Sequence, residues 1–103
     1  MNKENIDTSS DVVKTNDDPL HFEEFAQSEL AIDIIATMLG FNTNEILEEK
    51  MKSEPNTERM AALKIEQKHL MDERKQIYWG NKDVMDECIK KYAPIIRARY
   101  EKK

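Results

Sequence analysis

Ile35-Ala36-Thr37-Met38-Leu39-Gly40-Phe41-Asn42-Thr43-Asn44-Glu45-Ile46 contains one of only two glycines in 103 residues, and its reading sets the number of helices. Upstream of it, Phe22, Phe25, Ala26, Glu29, Ile32, Ile35, Ala36 and Leu39 recur at spacings of three and four, the signature of one helical face. From Leu30 to Leu39 the chain is apolar nearly all round, apart from Asp33 and Thr37, as suits the central helix of a small bundle. Gly40 reads as the stop, because glycine takes the left-handed position after a helix without strain, and Phe41 would fold back against the last turn. Asn42 and Glu45 then have the spacing of a capping box, which starts a second helix through Ile46, Leu47 and Met51 that fades near Ser53.

Working outward, Asp17-Asp18-Pro19 predicts the start of the first helix, with Asp18 as N-cap and Pro19 at the first helical position. Glu54-Pro55 marks a boundary, since the residue before proline avoids the α region. A third helix is expected from about Asn56 to Tyr78, where Met60, Leu63, Leu70 and Ile77 share a seam with the polar Gln67 and Arg74. Trp79-Gly80-Asn81 closes it and opens a fourth, which carries Val84, Met85, Cys88, Ile89, Tyr92, Ile95, Ile96 and Tyr100 on one face. Pro94 interrupts that last helix, so a kink or a fresh start is expected there. The acid-first pairs Asp86–Lys90 and Glu87–Lys91 should support it. The expectation is therefore all-α: a small bundle of about four helices over residues 18–103, the last one kinked at Pro94.

Residues 1–17 have Ile6, Val12 and Val13 as their only large apolar side chains after Met1, too few to offset the entropy of ordering, and read as a disordered acidic arm. The formal net charge of −5 is uneven: residues 1–33 carry −7, residues 34–103 carry +2, and residues 90–103 alone carry +5. The chain is acidic in front and basic behind, so its overall sign excludes little about partners. One cysteine, Cys88, excludes an intrachain disulfide. The longest apolar-rich run, Ile34 to Leu39, is far short of the roughly 20 residues of a membrane span. With no signal-peptide pattern, a cytoplasmic protein without a membrane association is expected.

The residues around Gly40 resemble the core of a helix-turn-helix, and the Leu39-Gly40-Phe41 turn is similar to the loop of ubiquitin-associated-like three-helix domains. A helix-turn-helix at 32–52 would imply DNA reading through its second helix. That helix, however, carries Glu45, Glu48 and Glu49 against Lys50 and Lys52, where a base-reading face favours Arg, Lys, Gln or Asn. Trp79-Gly80-Asn81-Lys82-Asp83 followed by Tyr92-Ala93-Pro94-Ile95-Ile96 resembles the opening of sigma-factor core-binding regions, a local likeness only.

No catalytic constellation, cofactor motif or metal site is expected. His21 and His69 lie far apart with no second donor at ligand spacing, and Gly40 and Gly80 are isolated, so no phosphate loop forms. The expected function is that of a non-enzymatic helical interaction protein, a small inhibitor, antitoxin or regulatory factor that docks on another protein. Phe22, Phe25, Met71, Tyr78 and Trp79 are the candidate apolar anchors. The acidic arm would steer it towards a basic partner, and a homodimer would also fit. The alternative is nucleic-acid binding through the 32–52 element or the basic end, with Lys90, Lys91, Arg97 and Arg99 on phosphates and Tyr92 and Tyr100 stacking on bases. Met51, Met60 and Met71 could line an adaptable groove.

Overall fold

A computed structural model describes residues 19–102, with side chains from Phe25 onward; the acidic arm of residues 1–17, Asp18 and the Phe22 side chain lie outside the described residues. Every regular element described is a helix: α1 (Pro19–Lys50), α2 (Thr57–Tyr78) and α3 (Lys82–Glu101). The architecture is all-α, but with three helices among the described residues rather than four.

The difference lies at Gly40. Helix α1 runs unbroken through it for 32 residues, about 48 Å at 1.5 Å per residue. Gly80 is the one glycine with positive φ, so Gly40 does not take the left-handed stop position. Nor does Asn42 cap a helix. Its side chain turns into the α1–α2 interface and is 1 % exposed, with Nδ2 donating to the Leu63 carbonyl at 2.9 Å and to Glu66 Oε1 at 3.2 Å. Glycine inside a helix costs about 1 kcal/mol relative to alanine. The burial of Met38 and Ile46 on either side, each worth about 1.5–3 kcal/mol, outweighs it. The helix-turn-helix expected over 32–52 is thus one unbroken run of α1 as far as Lys50.

The other boundaries fall where local chemistry puts them. The chain leaves α1 through a turn at 51–54 and passes Pro55, and the Asn56 side chain caps α2 by accepting from the Arg59 backbone N–H at 3.0 Å. At the far end of α2, the N–H groups of Trp79, Gly80 and Asn81 satisfy the carbonyls of Lys75, Ile77 and Gln76. Gly80 adopts φ +89°, the conformation glycine alone takes cheaply, and Asn81 caps α3 by accepting from Val84 N–H at 3.2 Å. Each such cap is worth about 1 kcal/mol. Helix α3 continues through Pro94 to Glu101 as one element; Pro94 faces solvent and removes a single hydrogen bond, to the Lys90 carbonyl.

Cross-helix contacts fix the topology. Asn42 meets Leu63 and Glu66, and Glu49 meets Arg59, so α2 runs antiparallel to α1. Arg99 meets Glu45 and Tyr100 meets Phe41, so α3 returns parallel to α1. Helix α1 packs along both others, while α2 and α3 touch over a narrower front. The core sits where the three converge, with Ile35, Leu70, Ile77 and Cys88 almost fully buried.

Candidate docking groove

The three faces of α2 have different uses. Leu63, Leu70 and Ile77, seven residues apart, are buried against α1. On one flank Glu73 reaches α3, accepting from the Tyr92 hydroxyl at 2.6 Å and from Lys91 Nζ at 3.0 Å. Met71 and Tyr78, also seven apart, therefore lie on the other flank, away from α3. They are 45 % and 61 % exposed. On α1 the matching flank carries Ile32 and Leu39, half-buried against the core, and one heptad earlier Phe25, which is exposed. The antiparallel register brings these two rows level, which leaves an apolar groove between α1 and α2 with no helix over it among the described residues.

The rim of this groove is basic. Lys64, Lys68, Arg74 and Lys75 occupy the same flank of α2 as Met71 and Tyr78, and no carboxylate among the described residues pairs with them. The acids of α2 fall elsewhere: Glu66 and Glu73 turn towards α1 and α3, and Glu58 and Asp72 take the back of the helix. On α1 the groove side carries Glu29, one turn from Phe25, and Lys50 at the far end.

Of the anchors expected from sequence, Phe25, Met71 and Tyr78 thus border one surface, and Trp79 stands at the C-cap of α2, 73 % exposed. Phe22 cannot be placed, its side chain being outside the described residues. Of the methionines expected to line a groove, Met60, half-buried, lies three turns before Met71 on the same flank of α2, whereas Met51 is in the turn after α1 and 85 % exposed. Ile32 and Leu39 read from sequence as part of one helical face but not as the floor of a groove, and the basic rim was not singled out. The row Phe25, Ile32, Leu39 at strict heptad spacing was the signal that could have found them.

The basic C-terminal end is largely engaged within the fold. Lys90 pairs with Asp86 at 3.0 Å, and Lys91 reaches Glu73 on α2 rather than Glu87. Arg99 pairs with Glu45 while its guanidinium lies over the Phe41 ring, 4.1 Å from the centroid. Tyr92, expected to stack on bases, is buried; burial first, and then its bond to Glu73, push its hydroxyl up to about 12. Arg97 and Tyr100 remain exposed. Beside Tyr92, burial and then the Glu73 charge push the Cys88 thiol up to about 11, which keeps it protonated and inert. Burial lowers the Lys91 ammonium, but its bonds to Glu73 and Tyr92 outweigh that and leave it raised.

A second electrostatic knot ties down the far end of α1. The Glu49 carboxylate, 2 % exposed, accepts from Asn56 N–H at 2.8 Å and Lys52 Nζ at 3.0 Å, with Arg59 Nε at 3.6 Å. The Asn56 bond above all, then Lys52, hold its pKa below the ordinary carboxylate value. Arg59 also approaches Glu45, the partner of Arg99, so this end links all three helices.

No family model matches the chain, and neither a curated protein nor a solved structure is similar to it at a significant level. By length and composition Phe25–Lys50 would be able to cross a membrane, although a third of that segment is buried inside the bundle.

Proposed function

We propose that this chain is a non-enzymatic helical interaction protein, a small inhibitor, antitoxin or regulatory factor, that seats a protein partner in the groove between α1 and α2. The supporting observation is that groove itself: Ile32 and Leu39 half-buried on one side, Met71 and Tyr78 exposed on the other, and nothing among the described residues covering them. Among the described residues no fourth helix completes the bundle, and a partner can supply one. Trp79 and Phe25 extend the apolar contact at one end, where large aromatics give the most affinity per side chain. A cytoplasmic setting belongs to the same proposal.

Site-specific photocrosslinking in the native host tests it. A photoreactive side chain at position 71 or 78 should trap the same protein, whereas one at position 86, on the outside of α3, should trap nothing. Adducts at all three positions alike, or none at 71 and 78, would remove the groove as the docking surface. A second reading, nucleic-acid binding at the C-terminal end, is supported by the shallow cleft between Phe41, Asn44, Arg99, Tyr100 and Lys102. It requires anisotropy titrations with duplex and single-stranded probes to show binding that weakens as salt rises.

A further inference from the structure

The geometry points to an acidic amphipathic helix of a partner protein as the occupant of the α1–α2 groove, an inference that rests on the docking reading above. Its apolar floor runs parallel to two helices and, from Phe25 to Leu39, is about 21 Å long at 1.5 Å per residue, the length of a helix of about 14 residues. Rows of apolar residues seven apart on both walls match the repeat of a third helix laid between them. Charge complementarity then fixes the sign. Lys64, Lys68 and Lys75 are exposed, Arg74 is half-buried, and none of the four has an ion-pair partner among the described residues; against them the α1 wall sets Glu29 and Lys50, so the rim keeps a positive balance. An incoming helix with Glu or Asp flanking its apolar stripe would neutralise that rim, and one with Lys or Arg there would meet like charge. The arm of residues 1–17 is acidic too, so the sign it suggested for the partner is the opposite of the one the groove selects.

The test uses the full chain and two labelled helical peptides of equal length and identical leucine heptads, one with glutamate and one with lysine at the flanking positions. Fluorescence anisotropy at low salt should show the glutamate peptide binding at least about tenfold more tightly, with the preference shrinking as ionic strength rises. Met71→Glu should abolish binding, and Ile65→Glu, on the exposed back of α2, should leave it unchanged. Reversing Lys64, Lys68 and Lys75 to Glu should switch the preference to the lysine peptide. If the lysine peptide binds better and Met71→Glu removes it, the groove stands as a docking site and the acidic partner falls. If Met71→Glu affects neither peptide, both readings fall. If Ile6→Asp, Val12→Asp and Val13→Asp together raise the affinity of the glutamate peptide tenfold, the chain's own amino-terminal residues are the occupant and the proposal is overturned. Sedimentation that finds a dimer dissociated by Met71→Glu overturns it as well, in favour of a second copy.

Discussion

Replacing Gly40 with alanine should stabilise the protein, and the sign of the effect discriminates between two architectures. In the continuous α1, Gly40 is an exposed interior residue of a helix, and a Cβ built there meets no atom within 4 Å. No clash opposes the substitution and no burial is lost. The gain is the helix-propensity difference, about 0.8–1.0 kcal/mol, part of it from the reduced freedom of the unfolded chain. For a domain of this size that is a rise in Tm of about 4–8 °C. In the helix-turn-helix architecture expected from sequence, the same residue would take a left-handed conformation, where alanine costs about 1–2 kcal/mol. The two readings therefore differ by about 2–3 kcal/mol and in sign. Gly80→Ala serves as the internal standard: at φ +89° it should lose about 1–2 kcal/mol even though space around it is open. Thermal melts followed by circular dichroism at 222 nm suffice. A lower Tm for Gly40→Ala, in parallel with Gly80→Ala, would refute the unbroken helix.

Asn42→Ala removes two hydrogen bonds from Nδ2 and should cost about 1–2 kcal/mol in urea unfolding; the loss stays moderate because Asn42 Oδ1 is already buried without a partner. Glu49→Gln should lower Tm at neutral pH, because a carboxylate held below its unfolded value of 4.5 contributes stability above that pH and loses it as pH falls through the folded value. The gap between the two proteins should hold above about pH 4.5 and close in stronger acid; a gap independent of pH would show that the Glu49 charge contributes nothing. Cys88, buried and with a thiol pushed up to about 11, should react with a thiol reagent at pH 8 only as fast as the protein unfolds, and rapid labelling of the native state would contradict its burial.

Most of the helical content was legible because it is written in local chemistry. Asn56 and Asn81 are caps whose side chains accept from the third residue onward, Pro55 bars continuation, and Gly80 supplies a positive φ. Each of these operates within a few residues and needs no knowledge of the rest of the chain. Gly40 and Asn42 carried the same local signals and mean something different, because their outcome depends on α2. Asn42 finds its partners at Leu63 and Glu66, more than 20 residues away, and those bonds hold the α1 backbone helical where the local pattern would end it. The candidate site follows the same division. Aromatic and methionine side chains at 25, 71 and 78 could be picked out by type, but the floor between them exists only once the antiparallel register of α1 and α2 is set. Tyr92 went the other way: its place on the apolar face of α3 was visible, yet its hydroxyl was free to be read as exposed until Glu73 of α2 appeared beside it.

The charge of the groove is a consequence of the same packing. The chain carries −5, yet Glu45, Glu49 and Glu73, three of its acids, are spent on contacts between helices and loops, with Arg99, Arg59, Lys52 and Lys91 as partners. Those ion pairs fasten α3 to both other helices at one end and along its middle, and close the turn between α1 and α2. They leave the α3 side of the molecule with most of its bases paired, and the opposite flank of α2 with its lysines unpaired. A protein whose sequence is acidic on average thus presents a basic edge beside an open apolar strip. The sign that matters for recognition is that of the side chains left over after the fold has used its own, so neither net charge nor pI predicts which helix will dock there.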